Sequence, residues 1–335
     1  MKARAPGKLV LSGAYAVLDG APAIVAAVDR YVTADATRRA DFITPEVRAA
    51  LGGTAEVPWF DAGALREQGE KLGLGSSAAI LVASLAARAL LEHGPLDDFE
   101  LIEQVFEPAL RAHALAQGGG SGVDVAAAAF GGTLVYHRTR RAPGATPVET
   151  QVPPGSNGVP VSLNGAFSDP NGVPVAAPSI VRSRLPAGVV VETWWSGRPA
   201  TTADFVRRVK ALSSREPSLY AERMGAQVRA ADQAMHALLA GGAADFIAAL
   251  AAQRVALHAL GLAAEVNIVT DFVVRLAAAA PEAAVIPAGA GGGDIVLHAG
   301  TEPSSPAFRG LAAELGHQLV PLELGARGVH AVGVD

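Results

Sequence analysis

Gly73-Leu74-Gly75-Ser76-Ser77-Ala78-Ala79 stands at the start of an apolar run, Ser77 to His93, whose length predicts a helix ended by Gly94-Pro95. Glycines let a backbone come close to an anion. The first N–H groups of a helix have no internal partners and carry the positive end of its dipole, so a phosphate fits where loop and helix meet. The serine hydroxyls at the junction can donate to that phosphate or ligate Mg²⁺. The competing reading is a glycine turn followed by a serine N-cap, and this stretch alone does not separate the two. The loop lacks the Gly-Lys-Ser/Thr ending of a P-loop, so it is a different phosphate loop.

Two more glycine-rich segments follow. Gly289-Ala290-Gly291-Gly292-Gly293-Asp294 precedes an apolar strand, and four glycines in five positions cost chain entropy that a mere turn does not repay. Close approach of the backbone to a ligand or to the first loop explains them better. Gly120-Ser121-Gly122-Val123-Asp124 presents a carboxylate at a helix start, a place where the dipole favours an acid whatever its role. Upstream, Ala5-Pro6-Gly7-Lys8 leads into a strand. Lysine at a strand entry is ordinarily solvated.

Between these loops the pattern predicts strands at Lys8–Leu18, Ala23–Thr33 and Thr133–His137, with the turn Asp19-Gly20-Ala21-Pro22 between the first two. Residues 44–69 read as polar and irregular, Phe99–Gln117 and Asp124–Phe130 as helices. A stretch rich in Pro, Gly, Ser and Asn, 142–178, suggests hairpins, loops and a domain boundary. Beyond it come a strand at Gly188–Trp195, four helices between Thr202 and Ala280, the strand Asp294–His298, a further helix and a closing strand, Val329–Val334. Alternating strands and helices over 335 residues predict an α/β or α+β enzyme of two domains sharing a cleft, divided as 1–180 and 181–335.

Composition narrows the function. A net charge of -5 argues against a general nucleic-acid binder. The apolar runs are broken by Arg, His or Gly before reaching the ~20 residues of a membrane span. With no signal-peptide pattern at the start, the expectation is a cytoplasmic chain. Absence of cysteine excludes disulfides and thiolate chemistry, and the eight histidines lack ligand-like spacing. Only four of the 27 basic residues are lysines, and two of those, Lys8 and Lys71, sit beside glycine-rich signals.

Taken together and in this order, the segments resemble the GHMP kinases, nearly end to end. In that family a Pro-Gly-Lys strand opens the chain, a Gly-Leu-Gly-Ser-Ser loop cradles the ATP phosphates, and a late Gly-Ala-Gly-Gly-Gly loop completes the cleft. Within the family, Ala112-His113, Ala116-Gln117-Gly118 and the run Gly120–Ala126 are similar to the phosphomevalonate kinases, as is Trp195-Ser196-Gly197-Arg198-Pro199-Ala200-Thr201-Thr202. The resemblance implies an α+β fold of two domains, the first like ribosomal protein S5 domain 2 and the second ferredoxin-like. It implies Lys71, Gly73, Leu74, Gly75, Ser76, Ser77 and Ala78 as the ATP site, with Ser77 also a Mg²⁺ ligand. Lys8 and Asp124 match the catalytic pair. His113, Ser121, Gly122, Arg198, Gly289, Ala290, Gly291 and Gly292 fall on the substrate side.

The implied reaction is Mg·ATP-dependent phosphorylation of phosphomevalonate by a monomer or homodimer that binds a small anionic substrate and neither nucleic acid nor membrane. Arg30, Arg182, Arg184 and Arg198 are candidate cations for the substrate. Trp59, Phe60, Trp194 and Trp195 are candidate adenine contacts, with core packing the commoner role. There are departures: Ala14 replaces a usual Glu, while Ile286 and Ala288 replace the Lys and Ser that flank the proline before the late loop. Two alternatives stay open. One is another GHMP kinase, for mevalonate or homoserine; the other is a binding or regulatory protein that has lost catalysis.

Overall fold

The computed structural model describes residues 1–52, 56–138, 152, 155–163, 167–168, 173–197 and 202–333. The chain opens with strands β1 (Lys2–Ser12) and β2 (Ala23–Arg39), helix α1 (Pro45–Leu51), strand β3 (Pro58–Asp61) and a small hairpin of β4 (Arg66–Glu67) and β5 (Glu70–Lys71). Helices α2 (Ser76–His93), α3 (Asp98–Ala116) and α4 (Val123–Phe130) follow. Next come the short strands β6 (Thr133–His137), β7 (Val159–Pro160), β8 (Phe167–Ser168), β9 (Pro174–Val175) and β10 (Ser179–Ser183). After β11 (Val190–Trp195) lie helices α5 (Thr202–Arg215), α6 (Pro217–Ala240), α7 (Ala243–Ala263) and α8 (Asp271–Ala278). The chain closes with β12 (Ala284–Pro287), β13 (Ile295–Gly300), α9 (Pro306–Glu314), β14 (Gln318–Val320) and β15 (His330–Val332).

Two antiparallel sheets organise these elements. The first has seven strands in the order β15-β1-β2-β6-β10-β7, with β3 also on β2; the second has four, β12-β13-β11-β14. Helix α2 packs across β1 and β2, and α4 reaches both strands beside it. Its alanines make this close approach possible: Ala78, Ala79, Ala83, Ala86 and Ala87 are fully buried. Helix α3 starts on a reciprocal cap, with Asp97 accepting from the Glu100 N–H and Glu100 from the Asp97 N–H.

Helices α6 and α7 pack on each other, and α7 and α8 lie on β12 of the second sheet. Contacts of α6 with β2 and of α7 with β1 join the two halves. By length and composition α7 is apolar enough to cross a membrane, but half of that stretch is buried against the protein. It is packed here as a core helix.

Two local expectations change. Lys8–Leu18 is not one strand: β1 runs from Lys2 to Ser12, and a 3-10 turn occupies Ala16–Asp19. Gly13 and Tyr15 between them have φ of 83° and 64°, left-handed values that end a strand. The irregular stretch 44–69 contains α1 and β3. Thr44 caps α1 by accepting from the Val47 N–H, Pro45 begins it and Gly52 ends it.

Candidate active site

The first glycine-rich loop is laid directly on β1. The Lys8 N–H donates to the Leu74 carbonyl at 2.9 Å. Gly7 permits this, because a Cβ there would come within 2.8 Å of the Leu65 side chain and 3.0 Å of the Leu74 carbonyl. One residue on, Gly75 is the N-cap of α2, with φ 73° and no side-chain cap. Ser76 and Ser77 are therefore the first helical residues, and neither caps the helix. The N-terminal N–H groups of α2 are left for an anion.

Beneath Gly75 lie the two residues singled out for chemistry. Lys8 Nζ is 3.5 Å from Asp124 Oδ1, with side chains 13% and 28% exposed. A Cβ on Gly75 would meet Lys8 Cε at 2.8 Å and sit 3.5 Å from Asp124 Oδ2. Asp124 projects from the first turn of α4, whose N-cap, Gly122, has φ 84° and also lacks a side-chain cap. Two uncapped helix starts thus converge on one ion pair. The Tyr136 hydroxyl fixes the second of them, donating to the Ser121 carbonyl at 2.8 Å.

The late glycine loop arrives from the other half of the chain. Gly289 N–H donates to the Val10 carbonyl at 3.3 Å, and the Gly292 N–H to the Ile268 carbonyl at 3.0 Å. A Cβ on Gly73 would be 2.8 Å from Asp294 Oδ2, so the end of the late loop rests against the first glycine-rich loop. Asp294 in turn accepts through its carbonyl from the Ser196 N–H at 3.0 Å. Lys8, Asp124, Gly73, Leu74, Gly75, Gly289 and Asp294 are in this way linked contact by contact. Lys71 is exposed at the end of the hairpin that leads into the loop. Arg198 lies outside the described residues.

The other candidates are engaged elsewhere or point outward. Arg30 pairs with Glu67 at 3.0 Å, and Arg182 donates to the Phe130 carbonyl at 2.9 Å. Trp194 and Trp195 are core residues at 4% and 2% exposure. Trp59 lies under the Arg38 guanidinium, 3.9 Å from its ring centre. Three contributors escaped the sequence reading: Tyr15, whose hydroxyl donates to the Ala290 carbonyl at 2.6 Å, Tyr136 and Glu46; Gln117 enters there only as part of a motif, with no role of its own. Tyr15 and Glu46 act through partners far away in sequence, 275 and 71 positions distant.

Comparison with known proteins identifies the fold. Residues 54–132 match the family described as "GHMP kinases N terminal domain", and the chain has the GHMP kinase fold. A structure of Streptococcus pneumoniae phosphomevalonate kinase in complex with phosphomevalonate and AMPPNP superposes with a TM-score of 0.69 over 97% of this chain and 99% of that one, at 17% identity. Phosphomevalonate kinase of Streptomyces sp. (strain CL190) is 29% identical over 87% of both chains. Mevalonate kinase of Archaeoglobus fulgidus is 29% identical over 42% of this chain and 54% of its own.

Proposed function

We propose that this chain is an ATP-dependent kinase that phosphorylates phosphomevalonate on its phosphate group, giving diphosphomevalonate and ADP. The observation that carries this reading is the Lys8–Asp124 pair, 3.5 Å apart beneath Gly75 and between two uncapped helix N-termini. In this reading residues 1–180 supply the phosphate loop and the acid, and residues 181–335 bring the late loop over them.

Phosphoryl transfer needs little covalent help from a protein; positioning and charge neutralisation do most of the work. ATP supplies the transferring group, and Mg²⁺ neutralises its phosphate oxygens. Among the described residues no three His, Asp or Glu side chains cluster to hold a metal ion by themselves. Mg²⁺ is ordinarily shared between one or two protein oxygens and the nucleotide phosphates. Ser77, in the first turn of α2, and Asp124 are the oxygens offered. Gly73 to Ala78 hold the phosphates with backbone N–H groups. Lys8 faces the transferring group and the acceptor, and Asp124 orients both Lys8 and the acceptor. The acceptor's phosphate oxygen forms the new O–P bond as the bond to ADP breaks.

One observation favours phosphomevalonate over mevalonate. The phosphomevalonate kinase relative matches over nearly the whole chain and the mevalonate kinase over less than half. A phosphate monoester loses its second proton near pH ~6, so in this reading the nucleophile is already ionised at neutral pH and needs no base. The absence of Glu at Ala14 and of Ser at Ala288 fits a non-catalytic protein of this fold, but the retained Lys8–Asp124 pair argues against it. A coupled ADP-release assay across mevalonate, phosphomevalonate, homoserine and galactose tests the reading. Phosphomevalonate should turn over fastest. Faster turnover of mevalonate would overturn the assignment, and ATP binding with no turnover of any acceptor would favour the non-catalytic reading.

A further inference from the structure

Three polar side chains run from α1 to the glycine-rich loop that precedes Asp124. Glu46, on α1, is 7% exposed. Its Oε1 accepts from the Gln117 side-chain amide at 3.4 Å. The same amide nitrogen is 3.0 Å from Nε2 of His113. Glu46 decides which way that amide faces, because the reverse orientation would set the amide oxygen against a carboxylate oxygen. The amide nitrogen therefore donates to both neighbours, and Nε2 of His113 accepts. In a neutral imidazole the proton then sits on the other nitrogen, Nδ1.

Burial favours the neutral ring. His113 is 4% exposed. Burial pushes its pKa down, against an upward pull from Asp124 and Glu46 and with a further push down from Lys8. Its Nδ1 is buried and finds no hydrogen-bond partner among the described residues. It faces Gly120, where a Cβ would lie 3.4 Å from Nδ1. Four of the five residues in Gly118–Gly122 are glycine, so this ring edge is covered by thin, side-chain-free backbone. Gly118, Gly119 and Gly122 hold φ of 64°, 101° and 84°, conformations that glycine changes readily.

A donor held in one tautomer, buried and without an acceptor, is prepared for an acceptor that arrives with a ligand. We propose that the Nδ1–H of His113 donates to an oxygen of the acceptor substrate's anionic group, admitted past Gly120, and that Glu46 and Gln117 are positioning residues that keep the proton on Nδ1. This rests on the kinase reading above and adds to it the contact atom, the tautomer and the two residues that set it.

The tautomer is read first, from long-range ¹H–¹⁵N spectra of the ¹⁵N-labelled protein, which need no turnover. Wild type should show His113 protonated on Nδ1, and Gln117→Leu should shift the ring toward the Nε2–H form. A wild-type ring protonated on Nε2 overturns the proposal. Phosphomevalonate is then titrated into wild type, and the His113 nitrogen signals should move as binding saturates. No binding, or binding that leaves those signals unmoved, also overturns it.

Kinetics gives the second arm. In His113→Asn the side-chain amide falls where Nδ1 stood, and in His113→Gln it reaches the Nε2 position instead. The KM for phosphomevalonate should stay within about threefold of wild type in His113→Asn and rise roughly tenfold or more in His113→Gln, with kcat less affected. Equal KM values in the two variants would remove the donor role. A wild type that turns over no acceptor defeats the kinase reading, whereas phosphomevalonate binding that moves the His113 signals still establishes the contact.

Discussion

The hydroxyl of Tyr15 donates to the carbonyl of Ala290 at 2.6 Å, joining residues 275 positions apart. Tyr15 is 5% exposed and holds a φ of 64°, an uncommon backbone for a side chain of its size. Burial raises its pKa far above the ordinary phenol range, so it remains a donor at any working pH. Together with the Gly289-to-Val10 bond it seats the late loop on the end of β1. Tyr15→Phe leaves the Ala290 carbonyl short of a partner. We expect a loss of about 1–3 kcal/mol in urea unfolding and a lower kcat/KM. Unchanged stability and kinetics would show that the bond does not seat the loop.

Gly75 and Gly69 allow chemistry to be separated from backbone strain. Both have left-handed φ, 73° and 85°. Alanine at either should cost about 1–2 kcal/mol of stability. Only at Gly75 does the new Cβ run into Lys8, since at Gly69 nothing lies within 4 Å. Gly75→Ala should therefore lose turnover on the order of a hundredfold while Gly69→Ala keeps it. Matching rates in two equally stable variants would mean that the loop does not position Lys8.

Lys8 and Lys2 lie on the same strand, but only Lys8 faces Asp124. Lys8→Ala removes a cation from a partly dry site, an effect worth roughly 3 kcal/mol, or about a hundredfold in rate. Lys2→Ala should leave turnover near wild type. Small, equal effects from the two substitutions would place Lys8 outside the reaction.

The parts of the site legible in the sequence are those carried by adjacent residues. Gly73–Ser77, Gly120–Asp124 and Gly289–Asp294 each combine turn chemistry with the start of a helix or strand, and each is where the pattern put it. The break in β1 was hidden because Val10, Leu11, Ala14, Tyr15 and Val17 read as one apolar run. Only the φ values of Gly13 and Tyr15 reveal the turn. Helix α1 has just seven residues, too few to show a period, although its Thr44-Pro45 start and Gly52 stop were present. Glu46, Gln117 and Tyr136 could not be assigned roles, because their meaning lies in tertiary contacts that local spacing does not encode.

The buried histidines predict an acid limit to stability. Burial holds the pKa values of His113, His137 and His298 below the usual 6.5, in His298 despite the nearby Glu192. The unfolded chain then binds more protons than the folded one just below that value, so stability rises with pH there. The contribution is fully present above about pH 6.5 and is lost as pH falls from there toward the folded-state values. Asp35 and Glu192, held low by Thr37 and by Ser304 with Arg309 against the cost of burial, add a further loss at lower pH. Urea midpoints measured from pH 7.5 to 5 should decline. A flat profile would show the three rings titrating as they do in the unfolded chain.

Asp124 is the residue where chemistry and geometry make opposite predictions. If the nucleophile is a phosphate already ionised at neutral pH, the carboxylate serves to hold Lys8, 3.5 Å away, and the acceptor. Asp124→Asn should then lower turnover by misplacing both groups. The activity that remains should still rise from pH 5.5 to 7, as in wild type, because the substrate's own phosphate ionises near pH ~6. If Asp124 is instead an obligatory base, the acid limb of the wild-type profile belongs to that carboxylate. The variant should then lose the limb along with the ~10²–10⁴-fold that a general base contributes. The two cases are resolved by measuring kcat against pH for both proteins at saturating Mg·ATP and phosphomevalonate. We expect the limb to persist in Asp124→Asn, displaced in height but not in position, and its disappearance would assign the proton transfer to Asp124.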